Sequence, residues 1–416
     1  MSLERIFSDE NILAYSQACI DLCERLPVVR STKHDFDTLV IPSRGAVPFF
    51  LGLVHASDKL RVFGYDFEKF YREMGVDDML APLLPNDTKV SKKVNGKEVR
   101  VLLAPFTADL NIPKFDREAD NDEYTADTRR YWANVMASFF KESKDRIEDP
   151  YFKTFTETIL KDIEHRKRVA EQYMIFPSIG KFAMIDTVIS GRASNDILRS
   201  FDDLAKTHNN PNLKPFGFLV VDENGTKLEK KKFRPYLRTK EARGQVEMFT
   251  IPRIVSEDEG AALEGVVASI YPSVMCASRD LVLDGKPFFV GAGSWHILPK
   301  NPYMDAFRSF MNLIYAGIDL KLQRDYDIGR GDEESRYAKR RQEFGETLES
   351  MRDLLSYNAA VTSRDLKIGY KPVDDYSTGS FVMHLPFNRE STNAIINNIC
   401  SATGAIRANL TPSNQQ

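Results

Sequence analysis

Long apolar runs and cysteine are both scarce in this sequence, and each shortage excludes a class of protein. No apolar run approaches the roughly 20 residues that cross a bilayer, so we expect no transmembrane helix. The first residues lack the basic and then apolar pattern of a signal peptide. The four cysteines are too few and too scattered for a disulfide framework. We therefore expect a cytoplasmic protein that does not bind a membrane.

Metal-ligating and nucleophilic patterns are also lacking. The six histidines are spread along the chain without the spacing of a metal site, and no Gly-x-Ser-x-Gly elbow is present. Cys19 and Cys23 lie four residues apart on a predicted helix, where they share one face. Because no cysteine or histidine partner lies nearby in sequence, we interpret them as two small buried hydrophobic residues rather than a metal pair. We assign no metal ligand to any protein side chain.

The bulk composition is that of an ordinary globular protein. A chain of 416 residues can bury a large core, and its length alone predicts two or three domains. The formal charge of −3 argues against a protein built to coat nucleic acid, although a local basic patch stays open. The evidence for function must therefore come from local motifs.

One stretch of the chain predicts a binding site for a phosphorylated sugar. Phe182–Ile185 predicts a strand that ends at Asp186, and a loop of small residues then leads to a helix over Asn195–Lys206. The first turn of a helix presents backbone N–H groups and the positive end of the helix dipole, which suits a phosphate. The carboxylate of Asp186 can accept hydrogen bonds from sugar hydroxyls. Together these groups indicate a sugar-phosphate site.

A second strand–loop–helix unit lies nearer the N-terminus. Phe36–Pro42 predicts a strand buried on both faces, Ser43–Ala46 a short loop with one cation, and Val47–His55 a helix. Leu60–Tyr65 predicts the next strand, which makes a βαβ unit with two parallel strands. Ligands of open α/β sheets bind at the carboxyl ends of the strands. We therefore expect both loops to lie at one edge of one sheet.

The remaining pattern is less regular. Val90–Leu103 predicts a hairpin around an Asn-Gly turn, and two helices follow over Thr128–Lys144 and Tyr151–Tyr173. Short strands are predicted over Pro215–Val221, Val246–Ile251 and Pro287–Val290, the last leading to a glycine-rich turn over Gly291–Trp295. Further helices are predicted over Glu257–Met275, Tyr303–Arg324, Glu333–Tyr357 and Thr392–Cys400.

The predicted fold class is α/β, with an open, mainly parallel sheet that is flanked by helices. We expect a large insertion into this sheet and a helical C-terminal region, because the strand–helix alternation breaks down twice. The resulting division is a first part of the α/β domain (1–65), an insertion or cap with a hairpin and helices (66–180), a second part of the α/β domain (181–300) and a mainly helical C-terminal region (301–416).

Two motifs together resemble the type I phosphoribosyltransferases, which use 5-phosphoribosyl 1-diphosphate. The signature of that family is an apolar run, two acidic residues and then a small phosphate-binding loop. Here the apolar run, Asp186 as the second acid and the loop after it match, while Ile185 stands at the first acidic position. Residues 41–46 are similar to the diphosphate loop of the family and precede the signature in the same order. The resemblance covers residues 36–65 and 181–255 and implies a phosphoribosyltransferase-like fold.

The resemblance implies a role for each matched residue. The 5-phosphate would be held by the loop of Ser190, Gly191, Arg192, Ala193 and Ser194. The diphosphate would meet the loop of Ser43, Arg44, Gly45 and Ala46. Asp186 would bind the ribose hydroxyls, and the catalytic candidates are Asp186 and Arg44. A Mg²⁺ ion would be carried by the diphosphate ligand rather than by the protein.

The function that the resemblance implies is binding of phosphoribosyl diphosphate, or of a related phosphorylated ribose or nucleotide, with phosphoribosyl transfer to a nitrogen nucleophile. In the family the diphosphate leaves from an oxocarbenium-like ribose, and cations on a mobile loop stabilise the leaving group. Candidates for these cations are Arg129, Arg130 and the cluster Arg166, Lys167 and Arg168. That cluster also suits the last turn of a helix, where it would complement the dipole.

Ile185 at the first acidic position supports a second hypothesis from another class. The chain would then be a catalytically impaired ligand sensor or assembly component, in a bacterial defence or regulatory system by analogy with other proteins of this fold. The insertion and the C-terminal helices would contact a protein or nucleic-acid partner.

Overall fold

The computed structural model describes residues 7–42, 44–60, 92–94, 97–103, 129–154, 177–189, 191–222, 234–254, 274–283, 286–295, 302–329 and 331–350. Its main sheet consists of β1 (Thr38–Ile41), β2 (Lys92–Val94), β3 (Lys97–Leu103), β4 (Phe182–Val188), β5 (Phe216–Asp222) and β6 (Val246–Ile251). A second, two-stranded antiparallel sheet consists of β7 (Val274–Leu283) and β8 (Lys286–Trp295).

The strand order of the main sheet is β2-β3-β1-β4-β5-β6. Strand β2 pairs antiparallel with β3, and the other five strands are all parallel to one another. Thr38 of β1 lies opposite Arg100 of β3 on one side and opposite Phe182 of β4 on the other. From β1 the chain adds β3 on one side of the sheet and then returns to add β4 on the other. The switch point of the strand order therefore lies between the neighbouring strands β1 and β4. The predicted open, mainly parallel α/β sheet is confirmed.

Helices cover both faces of this sheet. One face is covered by α1 (Asp9–Thr32), α2 (Val47–Leu60), α8 (Pro302–Tyr326) and α9 (Glu333–Ser350). The other face is covered by α3 (129–138), α6 (Arg192–Thr207) and α7 (Arg234–Ala242). Two short helices, α4 (Ser143–Arg146) and α5 (Pro150–Thr154), follow α3. Because successive strand residues point to opposite faces, Leu39 and Ile41 join the first core and Val40 joins the second.

The predicted insertion and the predicted C-terminal region both belong more closely to the α/β domain than the sequence indicated. The hairpin predicted over Val90–Leu103 is confirmed, with β2 and β3 as its strands. Strand β3 also pairs with β1, so the segment 66–180 supplies a strand of the main sheet and, through α3, part of one helical layer. Helices α8 and α9 share an apolar core with α1 and α2. Residues 302–350 are therefore part of the same α/β unit.

Other elements differ from the prediction in their bounds. Leu60, predicted to begin a strand, is the last residue of α2. Val274 and Met275, predicted to end a helix, belong to β7. The glycine-rich segment Gly291–Trp295, predicted as a turn, continues β8, because each of its residues pairs with a residue of β7.

Some predicted elements lie outside the described residues. These are the strand after Leu60, the greater part of the helices over Tyr151–Tyr173 and Glu257–Met275, the end of the helix over Glu333–Tyr357, the helix over Thr392–Cys400 and the basic cluster Arg166, Lys167 and Arg168. Within the described part of the chain, no helix is long and apolar enough to cross a membrane.

Helix α1 packs closely against both α2 and α8. Tyr15 stacks on Phe49 of α2 with the ring centroids 4.7 Å apart. The Ser16 hydroxyl oxygen lies 3.1 Å from the carbonyl oxygen of Ile314 in α8. At the crossing with α2, a Cβ atom on Gly52 would lie only 2.3 Å from the Cys19 Sγ. The approach of α1 to α2 therefore requires a residue without a side chain at position 52.

We expect Gly52→Ala to lower the free energy of unfolding by about 2 kcal/mol, because overpacking a well-packed core costs about 1–3 kcal/mol. Denaturant unfolding followed by circular dichroism measures this change. Cys19→Ala removes the sulfur that the new methyl group would meet. The double variant should therefore lose less stability than the sum of the two single variants, and strict additivity would contradict the close contact.

A carboxylate ties the last strand of the sheet to α1. Glu247 of β6 accepts hydrogen bonds from Arg25 Nη2 at 2.6 Å and Nε at 3.0 Å, and from Lys33 Nζ at 2.7 Å. The hydrogen bond with Arg25, together with that from Lys33, holds the pKa of Glu247 below its ordinary value, although burial opposes this. The stability that results is present above the unfolded-state pKa and is lost as the pH falls through the folded-state pKa.

We expect Glu247→Gln to lower the free energy of unfolding at neutral pH by about 1 kcal/mol, since charge-assisted hydrogen bonds at a partly exposed site are lost. Below pH 4.5, the ordinary pKa of this side chain, the difference from wild type should shrink as the pH falls. Thermal unfolding across the acid range measures both effects. The control is Glu241→Gln, which removes only a surface pair with Arg238 within α7. A difference that did not change with pH would count against the assignment.

Candidate functional site

The two predicted loops follow β1 and β4, the neighbouring strands on either side of the switch point. After β1 the chain passes through a short 3₁₀ helix, Arg44–Ala46, directly into α2. After β4 it turns at Gly191 into α6. Because parallel neighbours end at the same edge of a sheet, both turns lie at the carboxyl edge. Ser43 and Ser190 lie outside the described residues.

The turn Arg44–Ala46 lies directly against β4. A Cβ atom placed on Gly45 would lie 2.6 Å from the Thr187 Oγ1, so the backbone approaches the strand more closely than a side chain would allow. Ala46 is buried in the core beside it. Thr187 is a contact residue that the sequence reasoning missed, although its place after Asp186 in a strand indicates a side chain on the opposite face.

Helix α6 begins at a glycine and has no side-chain cap. Its N-cap residue, Gly191, has φ of 76°, which lies in the left-handed region that favours glycine. No side-chain hydrogen bond caps this start. The first N–H groups of a helix, here those of Arg192, Ala193 and Ser194, have no acceptor within the helix and carry the positive end of its dipole. An anion bound there would accept hydrogen bonds from them.

Asp186 lies within β4 rather than at its end, because the strand continues to Val188. Its side chain is on the face that α6 covers, and the residue is 1% exposed. The Ser194 hydroxyl donates a hydrogen bond to Asp186 Oδ2 at 2.7 Å. The resemblance assigns one of these residues to the ribose and the other to the phosphate. In this structure they bind each other.

Ile185 points to the opposite face of the sheet. It is fully buried in the apolar core that β4 shares with α1 and α2. A carboxylate at this position would lie among apolar side chains and would pay a large desolvation cost. The position of the first acid in the family is therefore an apolar packing position in this sheet.

Two arginines converge on one carboxylate beside the first turn of α6. Arg129 Nη1 lies 2.6 Å from Asp196 Oδ2, and Arg192 Nε lies 4.0 Å from the same oxygen. We call Asp196, Arg129 and Arg192 the Asp196 cluster. The cluster therefore places two guanidinium groups beside the first turn of α6.

The Asp196 cluster was only partly predicted. Arg129 and Arg192 were candidates, but Asp196 was not, although its spacing of four residues from Arg192 in a helix is a signal for such a pair. Arg129 is buried, whereas the neighbouring Arg130 is exposed. The structure thus brings together the first turn of α6 and one of the predicted cations.

A second buried carboxylate at this edge has a structural role. Asp222, the last residue of β5, accepts a hydrogen bond from the Ile254 N–H at 3.0 Å and lies 3.9 Å from Arg253 Nη1. The Arg253 N–H donates in turn to the Asn11 side chain of α1. These contacts fix the segment after β6 against α1, which accounts for the burial of Asp222.

The described residues offer no cluster of three or more side chains that could hold a metal ion. Cys19 and Cys23 are both buried and free of disulfides, as the sequence predicted. Cys23 Sγ lies 3.2 Å from Ser57 Oγ. Burial raises the pKa of the Cys23 thiol to about 12 and raises the pKa of Cys19 as well. Both thiols are therefore protonated at neutral pH and serve as packing groups.

We expect Asp196→Asn to lower the free energy of unfolding by about 2 kcal/mol, because Arg129 stays mostly buried when its carboxylate partner loses its charge. Denaturant unfolding measures the change. A matched control lies on the same helix: Asp203 pairs with Lys206 at 3.5 Å, and both side chains are largely exposed. Asp203→Asn should change stability by less than about 0.5 kcal/mol. Equal losses in the two variants would show that Asp196 has no special role.

No protein-family model, curated protein or solved structure matches this chain. The functional evidence therefore consists of the residues at the carboxyl edge of the sheet. They lie at the switch point of the sheet, which is where open α/β sheets bind ligands.

Proposed function

We propose that the chain binds a phosphorylated ribose, such as 5-phosphoribosyl 1-diphosphate or a nucleotide, in the crevice between its two strand–helix turns. The proposal is supported above all by the position of both turns at the switch point, where the Gly45 backbone lies against Thr187. Each turn would meet one anionic group of the ligand, and the ribose would lie between them.

The first turn of α6 would bind one phosphate. The backbone N–H groups of Arg192, Ala193 and Ser194 are the donors, and Gly191 at positive φ lets the chain enter the helix at this point. The guanidinium group of Arg192, which belongs to the same turn, would add attraction for an anion. This phosphate corresponds to the 5-phosphate of the ligand.

The turn Arg44–Ala46 would bind the second anionic group. Gly45 permits close approach of the backbone, and Arg44 is the cation that the resemblance to phosphoribosyltransferases assigns to the diphosphate. A Mg²⁺ ion would take its ligands mainly from the diphosphate oxygens, as is usual for this ion, and would neutralise part of their charge. The burial of Asp186 fits a site in which the protein supplies few metal ligands.

Two observations favour binding without turnover. Ile185 supplies no carboxylate, and the single acid of the signature, Asp186, is bonded to Ser194. We therefore favour a ligand sensor or an assembly component. In such a protein, ligand binding would change the interaction with a protein or nucleic-acid partner. Phosphoribosyl transfer to a nitrogen nucleophile is the second candidate, and the order of the two loops along the chain supports it.

Isothermal calorimetry with phosphoribosyl diphosphate and Mg²⁺ tests the binding. We expect Arg44→Ala to weaken binding about tenfold, because a charge-assisted contact with the diphosphate is lost. Arg340→Ala is the control, since Arg340 lies on α9 and pairs with Glu343 at the surface. The absence of binding to the wild-type protein at millimolar ligand would disprove both phosphosugar functions.

Release of diphosphate distinguishes the two candidates. The wild-type protein is incubated with phosphoribosyl diphosphate, Mg²⁺ and a panel of nucleobases, and free diphosphate is measured. We expect binding without release, because the crevice lacks the first acid of the family. Release that depends on one base would establish the transferase instead.

A further inference from the structure

The hydrogen bond between Ser194 and Asp186 fastens the first turn of α6 to strand β4. The two oxygens lie 2.7 Å apart, and each residue is 1% exposed. Ser194 is the third residue of α6, so it belongs to the turn whose N–H groups face outward from the helix start. The bond therefore connects the buried strand to the group of donors at the crevice.

Both partners are already engaged in this bond. A serine hydroxyl has a single hydrogen to donate, and Ser194 donates it to the Asp186 carboxylate. The same hydrogen cannot also be donated to a phosphate. The Asp186 residue is 1% exposed, so a ribose hydroxyl could reach its carboxylate only after the groups around it had moved.

We propose that Asp186 is a positioning residue, which holds Ser194 and with it the first turn of α6 in the place where backbone N–H groups bind a phosphate. This assignment rests on the proposed function. It replaces the two roles that the resemblance implies, a ribose contact for Asp186 and a phosphate contact for the Ser194 hydroxyl. Donors that are held in place before the ligand arrives bind it more tightly, because they need not be ordered on binding.

The side of the sheet on which Asp186 lies agrees with this role. Its neighbours in the strand, Ile185 and Thr187, lie on the opposite face, towards α1 and α2. Asp186 thus lies on the face that α6 covers, where its carboxylate can fix the start of that helix.

The test compares inorganic phosphate with ribose 5-phosphate, which share a phosphate group and differ by the ribose. Their affinities for the full chain are measured by calorimetry, well below the unfolding temperature of each variant. Ser194→Ala should lower the affinity for both ligands by the same factor, about threefold or more. The reason is that the first turn of α6 loses its hydrogen bond to Asp186. Ser194→Thr keeps a hydroxyl and should remain close to wild type.

A matched control, Ser200, lies six residues further along the helix. The Ser200 hydroxyl donates to the Asp196 carbonyl oxygen at 2.8 Å, so this hydrogen bond lies within the helix. Ser200→Ala should leave both affinities unchanged. The unfolding midpoint of every variant is measured in parallel, so that a loss of affinity is separated from a loss of fold.

Asp186→Asn decides between positioning and direct contact with the ribose. We expect it to change the two affinities by the same factor, because the side chain touches neither ligand. A loss of about tenfold or more for ribose 5-phosphate alone would show that the carboxylate binds the ribose hydroxyls, and would overturn the proposal.

Two further results would also overturn it. Unchanged phosphate affinity in folded Ser194→Ala would mean that the bond stabilises the protein without positioning the donors. Failure of the wild-type protein to bind either ligand would remove the proposed function and this assignment together. These results are distinguishable. The first is seen in Asp186→Asn with ribose 5-phosphate alone, the second in Ser194→Ala with phosphate, and the third in the wild-type protein with both ligands.

Discussion

The parallel pairing of β1 with β4 is the contact on which the candidate site depends. It places two segments that are far apart in sequence side by side, in the register that sets Thr38 opposite Phe182. Both strands therefore end at one edge, and the two turns that follow them lie together. The helices that begin at these turns lie on opposite faces of the sheet, α2 on one and α6 on the other. Open α/β sheets bind their ligands at an edge with this arrangement.

Successive side chains of β4 point to opposite faces of the sheet, and this alternation sets which groups each residue near the turn can contact. Ile185 and Thr187 face the layer of α1 and α2, whereas Asp186 faces α6. A pair of adjacent acids would thus have one member in an apolar core, where an ionised carboxylate is costly. This accounts for an isoleucine at position 185 in this fold. It also explains why a match to a linear signature does not by itself give each residue its role.

Local patterns predicted local structure well and long-range contacts poorly. The bounds of Val246–Ile251, the hairpin of β2 and β3, and the two turns at Gly45 and Gly191 were all visible in sequence. The partner of β3, the place of α8 and α9 in the core, and the pairing of Arg129 with Asp196 were not. Hydrophobic period and turn residues act within a few positions. Strand pairing and helix docking join residues that are distant in the chain, and one sequence carries little direct signal for them.

The packing of α1 against α8 has a consequence for synthesis on the ribosome. Tyr15 lies against Phe310, and Ser16 contacts the Ile314 carbonyl oxygen, so the first described helix is completed by one of the last. During translation α1 emerges long before α8 exists, and the part of its apolar surface that α8 covers is exposed until then. Such contacts between distant segments slow folding and leave nascent chains prone to aggregation. Helix α1 therefore reaches its final environment only after Pro302–Tyr326 has been synthesised.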